Sequence, residues 1–183
     1  MLPLIIALLG ATLIDGSGRA LIRDSVVVIE NDRIVAVGRR GRVKIPAEAR
    51  VIDVRGMVVS PGFIDAHNHS ERGFETDPSA ASQVSQGITT VVVGQDGGSP
   101  FPIGSFLDNL DQNPIALNVL TFVGHATVRS RVMGDDTNRR ATPAEIEKMK
   151  QLVEQAMRDG AIGLSTGLEY ETGKPASTEE VIT

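Results

Sequence analysis

Only three histidines occur in the 183 residues, and two of them stand two apart in Gly62-Phe63-Ile64-Asp65-Ala66-His67-Asn68-His69. Side chains two apart on a strand share a face, so the spacing predicts that His67 and His69 converge. Neutral imidazoles within reach of one another suit a divalent metal, commonly Zn²⁺. The apolar run VVSPGFID leads into the pair. That puts both rings at the C-terminal mouth of a buried strand, where α/β barrels keep their active sites. The third histidine, His125, follows the apolar run Ile115–Val123 and Gly124, so it too falls at a predicted strand end. By position it is either a site residue or a hydrogen-bonding partner for a loop.

Two more segments carry reactive side chains at strand ends. Gly94-Gln95-Asp96-Gly97-Gly98 follows TTVVV. A carboxylate between glycines can approach a metal at the mouth, although Asp and Gly also suit a simple turn. No Lys-Ser/Thr follows, so this is not a phosphate-cradling Walker loop. Gly163-Leu164-Ser165-Thr166-Gly167-Leu168-Glu169-Tyr170 offers hydroxyls, a carboxylate and a phenol. Its letters match the G-x-S-x-G nucleophile elbow, but no histidine lies downstream to complete a triad.

The elements that must position these residues fall in two blocks. Residues 1–57 read as a β module: an opening strand within MLPLIIALLGATLI, then Ser25–Glu30, a turn at Asn31-Asp32, Arg33–Val37, Val51–Val54 and Met57–Val59. Residues 58–183 change character. VVSPGFID, GITTVVVG, PIALNVLTFVG and AIGLS are short, nearly continuous apolar runs, the mark of strands buried on both faces in a parallel sheet. Helical spacers at Pro78–Gln86, Ile103–Leu110 and Thr142–Asp159 separate them, which makes the chain α/β. In the last, Thr142, Pro143 and Glu145 write a capped start, and Ile146, Met149, Leu152, Val153 and Ala156 an apolar stripe. A complete (β/α)₈ barrel takes about 250 residues, so this block holds about four units, and Ser177-Thr178-Glu179-Glu180 starts a fourth helix. The expectation is the first part of a longer protein, with an open flavodoxin-like sheet as the structural alternative.

Composition removes several function classes. Cysteine is absent, which excludes disulfides, thiolate metal sites and a cysteine nucleophile together. With 18 Lys+Arg against 23 Asp+Glu the net charge is −5, and no basic run stands out, so no nucleic-acid partner is expected. The apolar opening has no basic n-region, stops at Gly10 and is too short to span a bilayer. No membrane partner and a cytoplasmic location are therefore expected.

Taken together these residues resemble the amidohydrolase superfamily of metal-dependent hydrolases. LIDGSG, VVVIENDRIVAVG and VIDVRGMVVSPGFIDAHNHS resemble its N-terminal β module running into barrel strand one. VVVGQDGGSP, VGHATVR, VMG and IGLSTGLEY are similar to its N-acyl-D-amino-acid deacylase (D-aminoacylase) branch. The resemblance implies a partial TIM barrel preceded by a small N-terminal β-sandwich module, and one or two divalent metals, usually zinc. It implies His67 and His69 as ligands, with Asp96 standing where the branch has a metal-bound cysteine in a GNCG-like loop. A hard ligand thus replaces a soft one, and Glu169 is a candidate second carboxylate ligand. Tyr170, and His125 with Arg129 in a GH-x-x-x-R pattern, are candidate substrate-binding residues. The implied reaction is release of the acyl group from an N-acyl-D-amino acid, a small-molecule substrate, by metal-activated water. The general acid/base aspartate is expected beyond residue 183.

Two other readings stay open. A cyclic amidohydrolase of the dihydropyrimidinase or dihydroorotase kind would need a carboxylated lysine ligand, yet no lysine sits at a predicted strand end: Lys148 and Lys150 are helical and Lys174 lies in a loop. A truncated, non-catalytic binding or assembly module would need no metal at all.

Overall fold

The computed structural model describes residues 3–183, so Met1 and Leu2 of the predicted opening strand lie outside the described residues. Two compact units meet between Pro61 and Gly62. The N-terminal unit holds β1 (Ile5–Leu9), β2 (Thr12–Leu13), β3 (Ser25–Glu30), β4 (Arg33–Arg39), β5 (Arg50–Asp53) and β6 (Val58–Val59). A four-stranded sheet runs in the order β4-β3-β1-β5, and β2 pairs with β6 in a second, two-stranded sheet. The hairpin between β3 and β4 turns where expected, with Asn31 at φ +54° in the left-handed region that Asn tolerates. Ile5, Ala7, Val26 and Val28 form the core of this unit.

The boundary drawn from the sequence at 57/58 moves to 61/62. The reason is that Thr12–Leu13 pairs in parallel with Val58–Val59, which holds those two residues in the N-terminal unit. VVSPGFID is accordingly two strands and not one. Pro61 has no N–H for a ladder, and it separates the two short strands.

The second unit is α/β. It runs β7 (Phe63–Asp65), a 3₁₀ turn at Ser70–Gly73, α1 (Ala81–Val84), β8 (Ile88–Val93), α2 (Ile103–Gln112), β9 (Asn118–Thr121), β10 (Val123–Gly124), α3 (His125–Met133), α4 (Pro143–Arg158), β11 (Leu164–Ser165) and α5 (Thr178–Ile182). The pairings β7–β8, β8–β9 and β10–β11 are all parallel. Hydrogen bonds from Phe122 N–H to Val93 C=O (3.0 Å) and from Ile162 N–H to Thr121 C=O (2.9 Å) carry the ladder across the break between β9 and β10. Val91, Val92 and Val93 are all buried, as a strand covered on both faces requires. The connections β7–β8, β8–β9 and β10–β11 each pass through helix, the crossover that parallel neighbours need.

The helices follow the local code unevenly. α4 begins with a complete capping box, in which the Thr142 hydroxyl accepts from Glu145 N–H and the Glu145 carboxylate accepts from Thr142 N–H, with Pro143 in the first turn. Met149 and Ala156 from its stripe are buried against Ile103, Val123, Val128 and Met133. The spacer Pro78–Gln86 shrinks to the single turn of α1, entered through Ala80 at φ +44° with no side-chain cap. α3 is unannounced by any apolar stripe. Its buried face is His125, Val128, Arg129 and Met133, at helical spacing but half charged or polar. Among the described residues no helix is long and apolar enough to cross a membrane.

Because the Thr142 hydroxyl satisfies an N-terminal N–H of the longest helix, Thr142→Ala is expected to cost about 1 kcal/mol. Urea denaturation checks this as a lower midpoint with an unchanged slope.

Candidate metal centre

β7 ends at Asp65, so His67 and His69 belong to the loop that follows and not to the strand. Strand alternation is therefore not what brings them together. Asp65 Oδ1 accepts from His67 N–H (3.2 Å) and Asp65 Oδ2 accepts from Asn68 Nδ2 (2.7 Å). Asn68 Oδ1 in turn accepts from Ser70 N–H (2.8 Å) and the Ser70 hydroxyl, and Asn68 N–H donates to Val92 C=O (3.0 Å). The Asn68 amide, with the backbone N–H of His67, holds the Asp65 carboxyl below the ordinary aspartate range. This chain of short polar bonds fixes the turn, and both imidazoles leave it on the same side with ring centroids 5.3 Å apart.

The third donor comes from the loop after β8. Gln95 is buried, and its amide donates to Ala66 C=O (2.7 Å) and Val92 C=O (3.2 Å), which ties this loop to the histidine turn. Asp96 then adopts φ +55°. Gly97 beside it, at φ +80°, passes so close to the chain that an added Cβ would lie 2.9 Å from Gly167 N, and one on Gly94 would lie 2.4 Å from Phe122 C=O. Glycine is required at both by backbone angle and by space. Ser165 closes the arrangement from β11: its hydroxyl donates to Gly94 C=O (2.6 Å) and accepts from Gly97 N–H (3.1 Å). That is a structural use of the serine, and it leaves the elbow reading without support.

Asp96 Oδ2 ends up 3.3 Å from His67 Nε2 and 3.2 Å from His69 Nε2. One ligand atom from each of the three residues lies within 4.8 Å of the others. A tetrahedral Zn²⁺ with donors at about 2.0–2.1 Å sets neighbouring donors about 3.3 Å apart. The observed spacing and the N₂O donor set fit such an ion. Two of the three side chains, His69 and Asp96, line an open pocket of about 680 Å³ whose wall also includes Ser99, Thr127 and Tyr170, and His67 stands beside them through its contact with Asp96. Tyr170, a candidate substrate contact, is therefore on the wall.

Three other sequence candidates stand elsewhere. Glu169 is exposed and is not part of the ligand group. His125 and Arg129 are buried, and they meet Glu180 of α5 instead of the pocket. His125 Nε2 lies 2.9 Å from Glu180 Oε1, and an Arg129 guanidinium N–H donates to the same oxygen. The guanidinium also donates to Thr137 C=O (3.0 Å) and Arg139 C=O. Burial pushes the Glu180 carboxyl up, but the hydrogen bonds and charges of Arg129 and His125 more than reverse this, and the net direction is down. Sequence reasoning missed Asn68, Gln95 and Glu180. The first two stood inside quoted motifs, whereas nothing local distinguishes Glu180 from an ordinary first-turn glutamate.

A model of the amidohydrolase family matches residues 50–181. The chain belongs to the amidohydrolase family. It is 39% identical to the N-acyl-D-aspartate deacylase of Alcaligenes xylosoxydans xylosoxydans over 94% of this chain and 38% of that one. Among solved amidohydrolases, a D-aminoacylase with a binuclear metal centre superposes with a TM-score of 0.86 at 38% identity, covering 97% of this chain and 41% of the other. The N-acyl-D-glutamate deacylase of Bordetella bronchiseptica, in complex with zinc and a phosphonate inhibitor, gives 0.87 at 33% identity, with 96% and 41% covered. The chain thus spans about two fifths of the length of these relatives.

A carboxyl whose folded pKa lies below its unfolded value stabilises the fold above that unfolded value and loses the contribution as pH falls through the folded one. Glu180 is expected to behave so, and Glu180→Gln to strand the buried Arg129 charge at a cost of about 3–5 kcal/mol. Denaturation midpoints measured from neutral to acid pH should fall for the parent chain and stay flatter for the variant.

Proposed function

We propose that this protein hydrolyses a non-peptide C–N amide bond and releases the acyl group of an N-acyl-D-amino acid. The observation that carries the reading is the convergence of His67, His69 and Asp96, with spacings suited to one zinc ion, beside an open pocket that His69 and Asp96 line. Similarity to deacylases of N-acyl-D-aspartate and N-acyl-D-glutamate supports the substrate class. The parallel β/α order from Gly62 onward is read as the first four units of a (β/α)₈ barrel, and the N-terminal unit as a β-sandwich module.

His67, His69 and Asp96 would hold the ion, and the chemistry an ion supplies there is Lewis-acid activation of water and of the scissile carbonyl. The protein's own residues set the stage for it. Asp65 and Asn68 hold the histidine turn, Gln95 and Ser165 hold the Asp96 loop, and Asp96 balances positive charge with a hard oxygen. Tyr170 and Ser99 on the pocket wall offer hydroxyls that orient an amide substrate. No lysine lines the pocket, which argues against the carboxylated-lysine ligand of cyclic amidohydrolases.

Equilibrium dialysis against zinc is expected to give one equivalent bound per chain, weakened at least about tenfold by His67→Ala or Asp96→Ala. The zinc-loaded protein, expressed from its full reading frame, is expected to hydrolyse N-acetyl-D-amino acids and to leave the L-enantiomers intact. A folded parent chain that takes up no zinc would sink the reading.

A further inference from the structure

The 3₁₀ turn Ser70–Gly73 starts directly from His69. Arg72 stands in this turn three residues beyond His69. Both line the same pocket, together with Glu71 and Asp96. Arg72 is the one Lys or Arg among the lining residues. Its charge is also uncommitted. Arg55, Arg129 and Arg139 are each ion-paired to a carboxylate, whereas Arg72 makes no ion pair or hydrogen bond among the described residues. Its neighbour Glu71 makes no ion pair with it among the described residues, and Glu71 Oε2 is buried without a hydrogen-bond partner. The turn that carries Arg72 is not loose, since Ser70 is bonded through its N–H and its hydroxyl to Asn68.

A Zn²⁺ held by His67, His69 and Asp96 would offset the Asp96 charge, which leaves Arg72 as the side-chain cation on the pocket wall able to receive a substrate's negative charge. We propose that Arg72 is a specificity-determining residue that receives a carboxylate of the substrate while the amide lies at His67, His69 and Asp96. This rests on the reading of the pocket as an N-acyl-amino-acid site. A guanidinium presents two parallel N–H donors to a carboxylate, so the contact selects acids over their amides. The carboxylate can be the α-carboxylate or an acidic side chain, and the two are separable by experiment.

The test uses the zinc-loaded protein from its full reading frame, its Arg72→Gln and Arg72→Lys variants, and four substrates: N-acetyl-D-leucine, N-acetyl-D-leucinamide, N-acetyl-D-aspartate and N-acetyl-D-asparagine. Arg72→Gln is expected to raise KM for the recognised acids by about tenfold or more with little change in kcat, and Arg72→Lys to restore part of the loss. Zinc content and denaturation midpoint should match the parent, since the residue is exposed. A penalty on both D-leucine and D-aspartate derivatives that spares the leucinamide assigns the α-carboxylate. A penalty on the aspartate that spares the asparagine and leucine derivatives assigns the side chain. Equal KM changes across all four substrates, or none, overturn the proposal. If nothing is turned over, the reading of the function fails and calorimetry decides the residue's role. Tighter binding of N-acetyl-D-leucine or N-acetyl-D-aspartate to the parent than to Arg72→Gln upholds it, and equal or absent binding overturns it.

Discussion

The bond on which the site depends is a neutral one: the buried Gln95 amide donating to Ala66 C=O across the gap between two strand-end loops. The histidines hang from the first of these loops and Asp96 from the second. Each loop is stiff alone, the first through Asp65, Asn68 and Ser70, the second through its glycines and Ser165. The donor spacing is a property of the pair of loops, and the Gln95 amide is what sets one against the other. Because that amide is buried, giving up its acceptors would leave a polar group without water, which makes the alignment expensive to lose.

A parallel sheet suits this task. Neighbouring strands end at the same edge, so loops far apart in the chain arrive side by side, as residues 65–70, 94–98 and 163–167 do here. Glycine lets them come closer than side chains would permit, and the absent Cβ atoms of Gly94 and Gly97 are filled by backbone of neighbouring strands and loops. The rigidity is concentrated behind the pocket, while the ligand atoms face open space.

His125, Arg129 and Glu180 solve a different problem. They form a buried polar cluster at the foot of α3 and α5, and the guanidinium also gathers carbonyls of the 137–139 loop. A charged group so fully buried needs its counter-charge from the same chain, and here it comes from fifty-one residues downstream. The GH-x-x-x-R pattern therefore reports packing between helices, a use that its polar letters conceal.

The sequence by itself determined the elements with local signatures: the β3–β4 hairpin through Asn31-Asp32, the buried β8 through its valine run, and α4 through Thr142, Pro143 and Glu145. It also marked His67, His69 and Asp96, because reactive side chains at the ends of apolar runs are legible without a fold. Tertiary structure alone decided which candidates meet. Glu169 follows a strand end as Asp96 does, yet only Asp96 is turned toward the histidines, and that depends on Gln95, Ser165 and a left-handed backbone angle. Likewise Val58–Val59 belongs to the N-terminal unit only because Thr12–Leu13 is there to pair with it. Periodicity and capping act over a few residues and can be read in order. Convergence depends on hydrogen bonds between segments tens of residues apart, and no local pattern encodes those.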